Sequence, residues 1–274
     1  MFFCNTTIAS GSFFVYSVAK NKYKCYPLNN FKPTEKRMKK LIYNLILPCT
    51  FVAILLWSVI GVSQDRHFYD VQYQQNKTAD HIGIRHQDLM EVTDNLLSYM
   101  VKQRPDLEMQ FGVKGEIREI FDEREKLHMI DVVNLYMGVV YIGIALSAFV
   151  AVSVVALCKT DGIKTVRKTL RKKYRWSAIG LLLVAGSFGI VIATNFQWFW
   201  TNFHYVFFTN DLWMLDPRVS IMINMFPLNF FFAMCKQILI CFVIWCLVVR
   251  LVLADFGNRP KWLRSKREYG DVIR

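Results

Sequence analysis

His128 in EREKLHMIDV and His204 in FHYVFFTNDLW each stand near a carboxylate, Asp131 three residues after the first and Asp211 seven after the second. A histidine accepts and returns a proton near neutral pH, and a neighbouring carboxylate fixes its tautomer and stabilises its charged form. Both clusters therefore point to proton-transfer chemistry, with the two histidines as candidate catalytic residues and the two carboxylates as orienting groups. On a helix Arg124, His128 and Asp131 fall at i, i+4 and i+7 and share one face. The second cluster lies in NFHYVFFTNDLWMLDPRVSIMINMFP, Asn202 to Pro227, where Asn202, Asn210, Asp211 and Asp216 are set among Phe203, Tyr205, Phe207, Phe208 and Trp213, with Trp200 just before them. A belt of aromatic residues at a membrane interface accounts for the rings but not for those polar residues, which persist at such depth mainly where they line a cavity.

The elements that must position these residues are long and apolar. The 274 residues are 54% hydrophobic, and the apolar ones are gathered in blocks of the length that crosses a bilayer, about 20 residues per helix. Four spans are expected: Leu41 to Val62, Val132 to Leu157, Ser177 to about Phe199, and about Asn229 to Ala254. The fold class is an all-α membrane protein. It is a four-transmembrane-helix bundle with a mainly helical extracytoplasmic segment between helices 1 and 2 and an interfacial segment between helices 3 and 4.

The formal charge of +13 would point to nucleic acid in a soluble protein, but its distribution decides otherwise. Lys and Arg gather in KPTEKRMKK, in KTDGIKTVRKTLRKKYR after Leu157 and in the tail NRPKWLRSKREYGDVIR, whereas Gln64 to Leu127 holds nine of them against thirteen Asp and Glu. Basic residues accumulate in cytoplasmic loops, so both termini and the middle loop are expected in the cytoplasm. The segment 64–130 is then extracytoplasmic, the second span enters the membrane from that side, and the third returns to it. His128 and His204 can meet at the outer interface. No nucleic-acid motif is present; the basic loop is most simply an anchor on anionic headgroups.

The expected organisation is an arm at 1–37, a membrane domain at 38–254 and a basic tail at 255–274; Met38-Lys39-Lys40 before the first span also has the look of a natural start. In the outer segment Leu89, Val92, Leu96, Leu97 and Met100 recur at helical spacing, so His86 to Gln103 is an amphipathic helix covering the membrane surface or the mouth of the bundle. After the turn at Arg104-Pro105, FGVKGE reads as extended, and Glu116 onward reads as a helix running into the second span. His67, His81 and His86 have no partner at a diagnostic spacing. None of the seven cysteines lies in the outer segment, which argues against a disulfide framework or an outer-face thiol nucleophile. HExxH, GxSxG and phosphate-cradling glycine motifs are absent from the sequence. Lys236, inside the fourth span, is a candidate lipid-binding residue or a side chain reaching outward to phosphate.

Taken together, EREKLHMIDV, FHYVFFTNDLW, INMFPLNFF and the weaker GIRHQDLMEVTDNLLSYM resemble the lipoprotein intramolecular transacylases of Gram-positive bacteria, from about Met38 to about Ala254. That family's pattern often has a basic residue after the Asp-Val pair and an acidic one after Met-Phe-Pro, where this chain has Val133 and Leu228. The resemblance implies a membrane acyltransferase acting on diacylglyceryl-modified lipoproteins. The sn-2 acyl chain passes to the α-amino group of the N-terminal cysteine, giving an N-acyl lyso-form, with no cofactor and no metal. His128 and His204 would then be base and oxyanion donor in an order left open. Asp131 and Asp211 would orient them, Asn210 and Trp213 would donate to lipid carbonyls, Asp216 would support, and Lys236, Tyr205 and Arg124 would contact lipid. Two other readings stand beside it. One is a metal-dependent outer-leaflet hydrolase with His128, Asp131, His204 and Asp211 as ligands. The other is a non-catalytic lipid-binding or transport subunit, for which four spans without repeat symmetry are poor material.

Overall fold

The computed structural model describes residues 14–19, 22–27 and 32–254. Near the N-terminus β1 (Phe14–Ala19) pairs antiparallel with β2 (Lys22–Pro27). Four helices among the described residues are long and apolar enough to cross a membrane: α1 (Lys32–Ser63), α5 (Glu123–Asp161), α6 (Ile163–Thr194) and α9 (Leu228–Leu253). They match the four expected spans in order. Helix α1 packs along α5 and α9, while α6 makes less extensive contact with its neighbours and leaves Leu182, Leu183, Phe188 and Ile190 exposed to the surrounding lipid.

The helices extend beyond the apolar blocks. The basic stretch after Leu157, expected as a loop, is the first half of α6, and the connection shrinks to Gly162 at φ +80°. Lys and Arg are good helix formers, so their charge marks where the membrane ends but not where the helix does. At that end Asp161 binds α1 to α5, accepting from Lys39 Nζ at 3.1 Å and from the Tyr43 hydroxyl at 2.9 Å.

At the opposite end a cap closes the bundle. Helices α2 (Arg66–Asn76), α3 (Thr78–Ile82) and α4 (His86–Met100) are followed by a hairpin of β3 (Gln110–Val113) and β4 (Glu116–Glu119). The expected helix from Glu116 is therefore a strand, and α5 starts only at Glu123. Lys114 and Gly115, both at positive φ, turn the chain back between two four-residue strands. Asp122 and Glu125 then form a reciprocal capping box, each side chain accepting from the other's backbone N–H at 2.8 Å.

All five apolar residues singled out on α4 are buried. They cover not lipid but a core shared with Met129, Val133 and Tyr136 of α5 and with Phe230 of α9. Tyr69, Tyr73, Phe226 and Phe230 form the aromatic centre of that core, with Tyr73 stacked on Phe230 at 6.2 Å. The cap is thus built onto the outer ends of α5 and α9.

Candidate active site

Helix α6 ends at Asn195, whose side chain accepts from Trp198 N at 2.9 Å and so caps a separate short helix, α7 (Phe196–Phe207). The expected third span, drawn to Phe199, is thus broken four residues earlier. Helix α7 is held by its rings: Trp200 stacks on Phe231 of α9 at 4.0 Å, and Phe196 meets Phe232 edge-on at 5.4 Å. This places His204 on the last turn of α7, facing the first turns of α5.

The two histidines do meet. Their ring centroids lie 6.3 Å apart and each residue is only 8% exposed. Phe208 packs against both, edge-on to His128 at 5.3 Å and tilted against His204 at 5.6 Å, and Trp213 lies over His204 at 4.7 Å. The pair therefore sits in an aromatic box that excludes bulk water.

Their surroundings differ. His204 Nδ1 lies 2.7 Å from the carbonyl oxygen of Trp200, one turn back. A carbonyl only accepts, so the bond requires the proton on Nδ1 and leaves the Nε2 lone pair as the basic site of the neutral ring. Burial pulls the His204 pKa below its usual 6.5, partly offset by the Trp200 bond. Among the described residues His128 Nδ1 is buried with no partner, an arrangement that costs about 1–3 kcal/mol.

Neither orienting carboxylate hydrogen-bonds a histidine. Asp131 accepts from Asn210 Nδ2 at 2.8 Å rather than from a histidine. Helix α7 ends before Asp211, which instead pairs with Arg124 at 3.5 Å, and Arg124 also donates to the Asp211 carbonyl. Asp216 is bound by Arg218, whose guanidinium holds the carboxyl down at about 2. Tyr205 is exposed and meets Trp213 edge-on, and Lys236 is exposed and has no hydrogen bond or ion pair among the described residues. Hence Arg124, Asp131, Asn210 and Trp213 gather around the histidines, and Asp216 and Lys236 do not. Asn210 is the hinge of this group, since its carbonyl takes Trp213 Nε1 at 3.0 Å and its side-chain oxygen takes Leu212 N at 3.1 Å.

Beside the pair a cleft of about 220 Å³ is lined by Asp131, Asn134, Leu135, Phe207, Phe208, Thr209 and Asn210. It is open on one side and mixed in polarity, which suits a glyceryl ester headgroup with chains leaving into lipid. Among the described residues no three of His, Cys, Asp and Glu converge as metal ligands.

One residue that sequence reasoning missed fastens this site. Glu125, 1% exposed, accepts from the Ser220 hydroxyl at 2.5 Å and from Met222 N at 3.0 Å. It ties the start of α5 to α8 (Ile221–Met225), the short helix that ends the Phe208–Ser220 connection. Asp-x-x-Glu before an apolar run was a readable capping signal; the second half of the contact, 95 residues away, was not.

The chain matches the sequence profile of the lipoprotein intramolecular transacylases over residues 44–231. It belongs to that family. It is accordingly an acyl-transferring enzyme of the membrane. No curated sequence matches it. Its fold is similar to that of the membrane-integral transacylase of Bacillus cereus, at 20% identity and TM-score 0.63, over 85% of this chain and 99% of the other. Two variants of the Bacillus cereus transacylase are similar to the same degree. One carries a histidine-to-arginine substitution (18% identity, TM-score 0.64, 88% of this chain and 99% of that one). The other carries a histidine-to-alanine substitution (18% identity, TM-score 0.62, 86% of this chain and 98% of that one).

Proposed function

We propose that the transacylase moves the sn-2 acyl chain of a diacylglyceryl lipoprotein to the α-amino group of the same N-terminal cysteine, with His204 as the base and His128 as the oxyanion donor. The observation that carries the assignment is the 2.7 Å contact from His204 Nδ1 to the Trp200 carbonyl, which aligns a lone pair at Nε2. The neutral amine attacks the ester carbonyl and forms the C–N bond. His204 Nε2 takes the proton released from nitrogen and returns it to the glyceryl oxygen as the C–O bond breaks. Ester becomes amide, the lyso-alcohol is freed, and no external group is consumed. His128, its ring centroid 6.3 Å from that of His204, donates to the tetrahedral oxyanion, an interaction worth about 2.7–4 kcal/mol where measured.

Much of the remaining barrier falls because donor and acceptor are one molecule. Holding them together contributes roughly 7–11 kcal/mol in well-oriented cases. The cleft then has to fold the headgroup and keep water from the ester. The distribution of Lys and Arg supports both termini in the cytoplasm and the histidine pair at the extracytoplasmic leaflet. Residues 38–254 form the catalytic membrane domain.

Mass spectrometry of a lipoprotein's N-terminal peptide tests the reading, in a host that makes only the diacyl form. The expected result is an unchanged total mass with one acyl group shifted from glycerol to nitrogen. His204→Ala should slow the shift about 10²–10⁴-fold and His128→Ala about 10²–10³-fold. A diacyl peptide left intact while the protein is in the membrane would refute it.

A further inference from the structure

The end of the bundle opposite the histidine pair holds a larger cleft that acyl transfer does not use. It measures about 720 Å³ and runs between α6 and α9, lined by Arg171, Lys172, Tyr174 and Arg175, by the apolar residues Ala178, Ile179 and Leu182, and by Arg250. The Tyr174 hydroxyl donates to the Cys246 carbonyl at 2.8 Å and closes its floor. Lys172, Arg175 and Arg250 are exposed, and among the described residues none of the three has a carboxylate partner. Lys172, Arg175 and Arg250 thus place three positive charges around one cleft, which favours an anion among them.

The lining is graded along α6. Arg171 and Arg175 are four residues apart; Ala178, Ile179 and Leu182 continue the same face one and two turns deeper into the apolar half of the helix. Leu182 is 69% exposed and Ile179 39%, so the face passes from positive to greasy without a break. A free phosphate would use only its upper part. An amphiphile with an anionic head and hydrocarbon chains matches all of it, and the volume lies in the roughly 300–1,000 Å³ range of small-molecule sites. Basic pockets between spans are a recurrent way of holding anionic lipid headgroups.

We propose that this cleft is a binding site for an anionic phospholipid of the leaflet opposite the active site, its phosphate held by Lys172, Arg175 and Arg250 and its chains laid along Ile179 and Leu182. The lipid would lie along the outer side of the α6–α9 contact, just where α6 passes from its packed basic half, with Val166 and Leu170 buried, to its lipid-exposed apolar half.

Native mass spectrometry of the full chain released from detergent, titrated with phosphatidylglycerol, phosphatidylcholine or inorganic phosphate, tests this. One phosphatidylglycerol adduct should persist at concentrations where phosphatidylcholine gives none, and should weaken about tenfold or more in Arg175→Gln/Arg250→Gln. Should that pair prove unstable, Lys172→Gln, at an exposed position, should weaken it severalfold. Equal retention of both lipids, or an adduct indifferent to all three substitutions, would overturn the proposal. Displacement of the lipid by millimolar inorganic phosphate would overturn it in favour of a free-anion site.

Discussion

At the scale of single residues, the pH dependence separates the substrate's proton from the enzyme's. The acceptor amine has a pKa of about 7.7–8.0, while burial holds His204 below 6.5. The logarithm of the rate should therefore fall with slope one from about pH 8 and steepen to slope two only below pH 6.5, measured as initial rates of acyl shift. A second break above 6.5 would contradict the buried, neutral His204. Stability runs the same way: the unfolded chain takes up a proton near pH 6.5 that the folded site resists, so stability falls as pH drops through that window. Both histidines were legible in the sequence because polar residues in apolar runs are conspicuous. Their partners were not, because seven-residue spacing implies a shared face only while the helix continues, and α7 stops at Phe207. His86 was unreadable for a related reason: its partner Asp70, 2.8 Å away, lies on another helix.

At the scale of elements, the site depends on how the start of α5 grips the Phe208–Ser220 connection. Glu125→Ala would leave the Ser220 hydroxyl and the Met222 N–H without their buried acceptor, at about 1–3 kcal/mol each. The expected result is a lower unfolding temperature in detergent together with reduced activity, read by a thermal melt and the peptide assay. Glu125→Gln keeps an acceptor oxygen and should recover most of both. The helices were legible because 20-residue apolar blocks have few alternatives in lipid. Of the β3–β4 hairpin only the first strand was, FGVKGE reading as extended; the second strand was hidden because it is four residues long and GEIREIFDEREK carries many helix formers before Glu123. Tertiary pairing overrides such weak local preference.

For the whole molecule, the orientation rests on charge and has a direct check. Ile117, 80% exposed on the hairpin, and Lys164, exposed at the start of α6, lie at opposite ends of the bundle. In a cysteine-free background an impermeant maleimide should label Ile117→Cys in intact, wall-stripped cells and Lys164→Cys only after lysis; the reverse would invert the topology. The order of the spans could be read from composition, since lipid acts on whole segments. The packing of α1 against both α5 and α9 could not, because one apolar face looks like another until its neighbours are known. The break at Asn195 has a mechanical consequence. Helix α6 is wetted by lipid along its apolar half and must tilt as bilayer thickness changes, yet α7 is stacked on α9 through Trp200 and Phe231. With the helix interrupted at Asn195, a tilt of α6 need not carry over to α7, so acyl transfer should proceed at similar rates in short-chain and long-chain bilayers, the histidines staying in register while the span beside them leans.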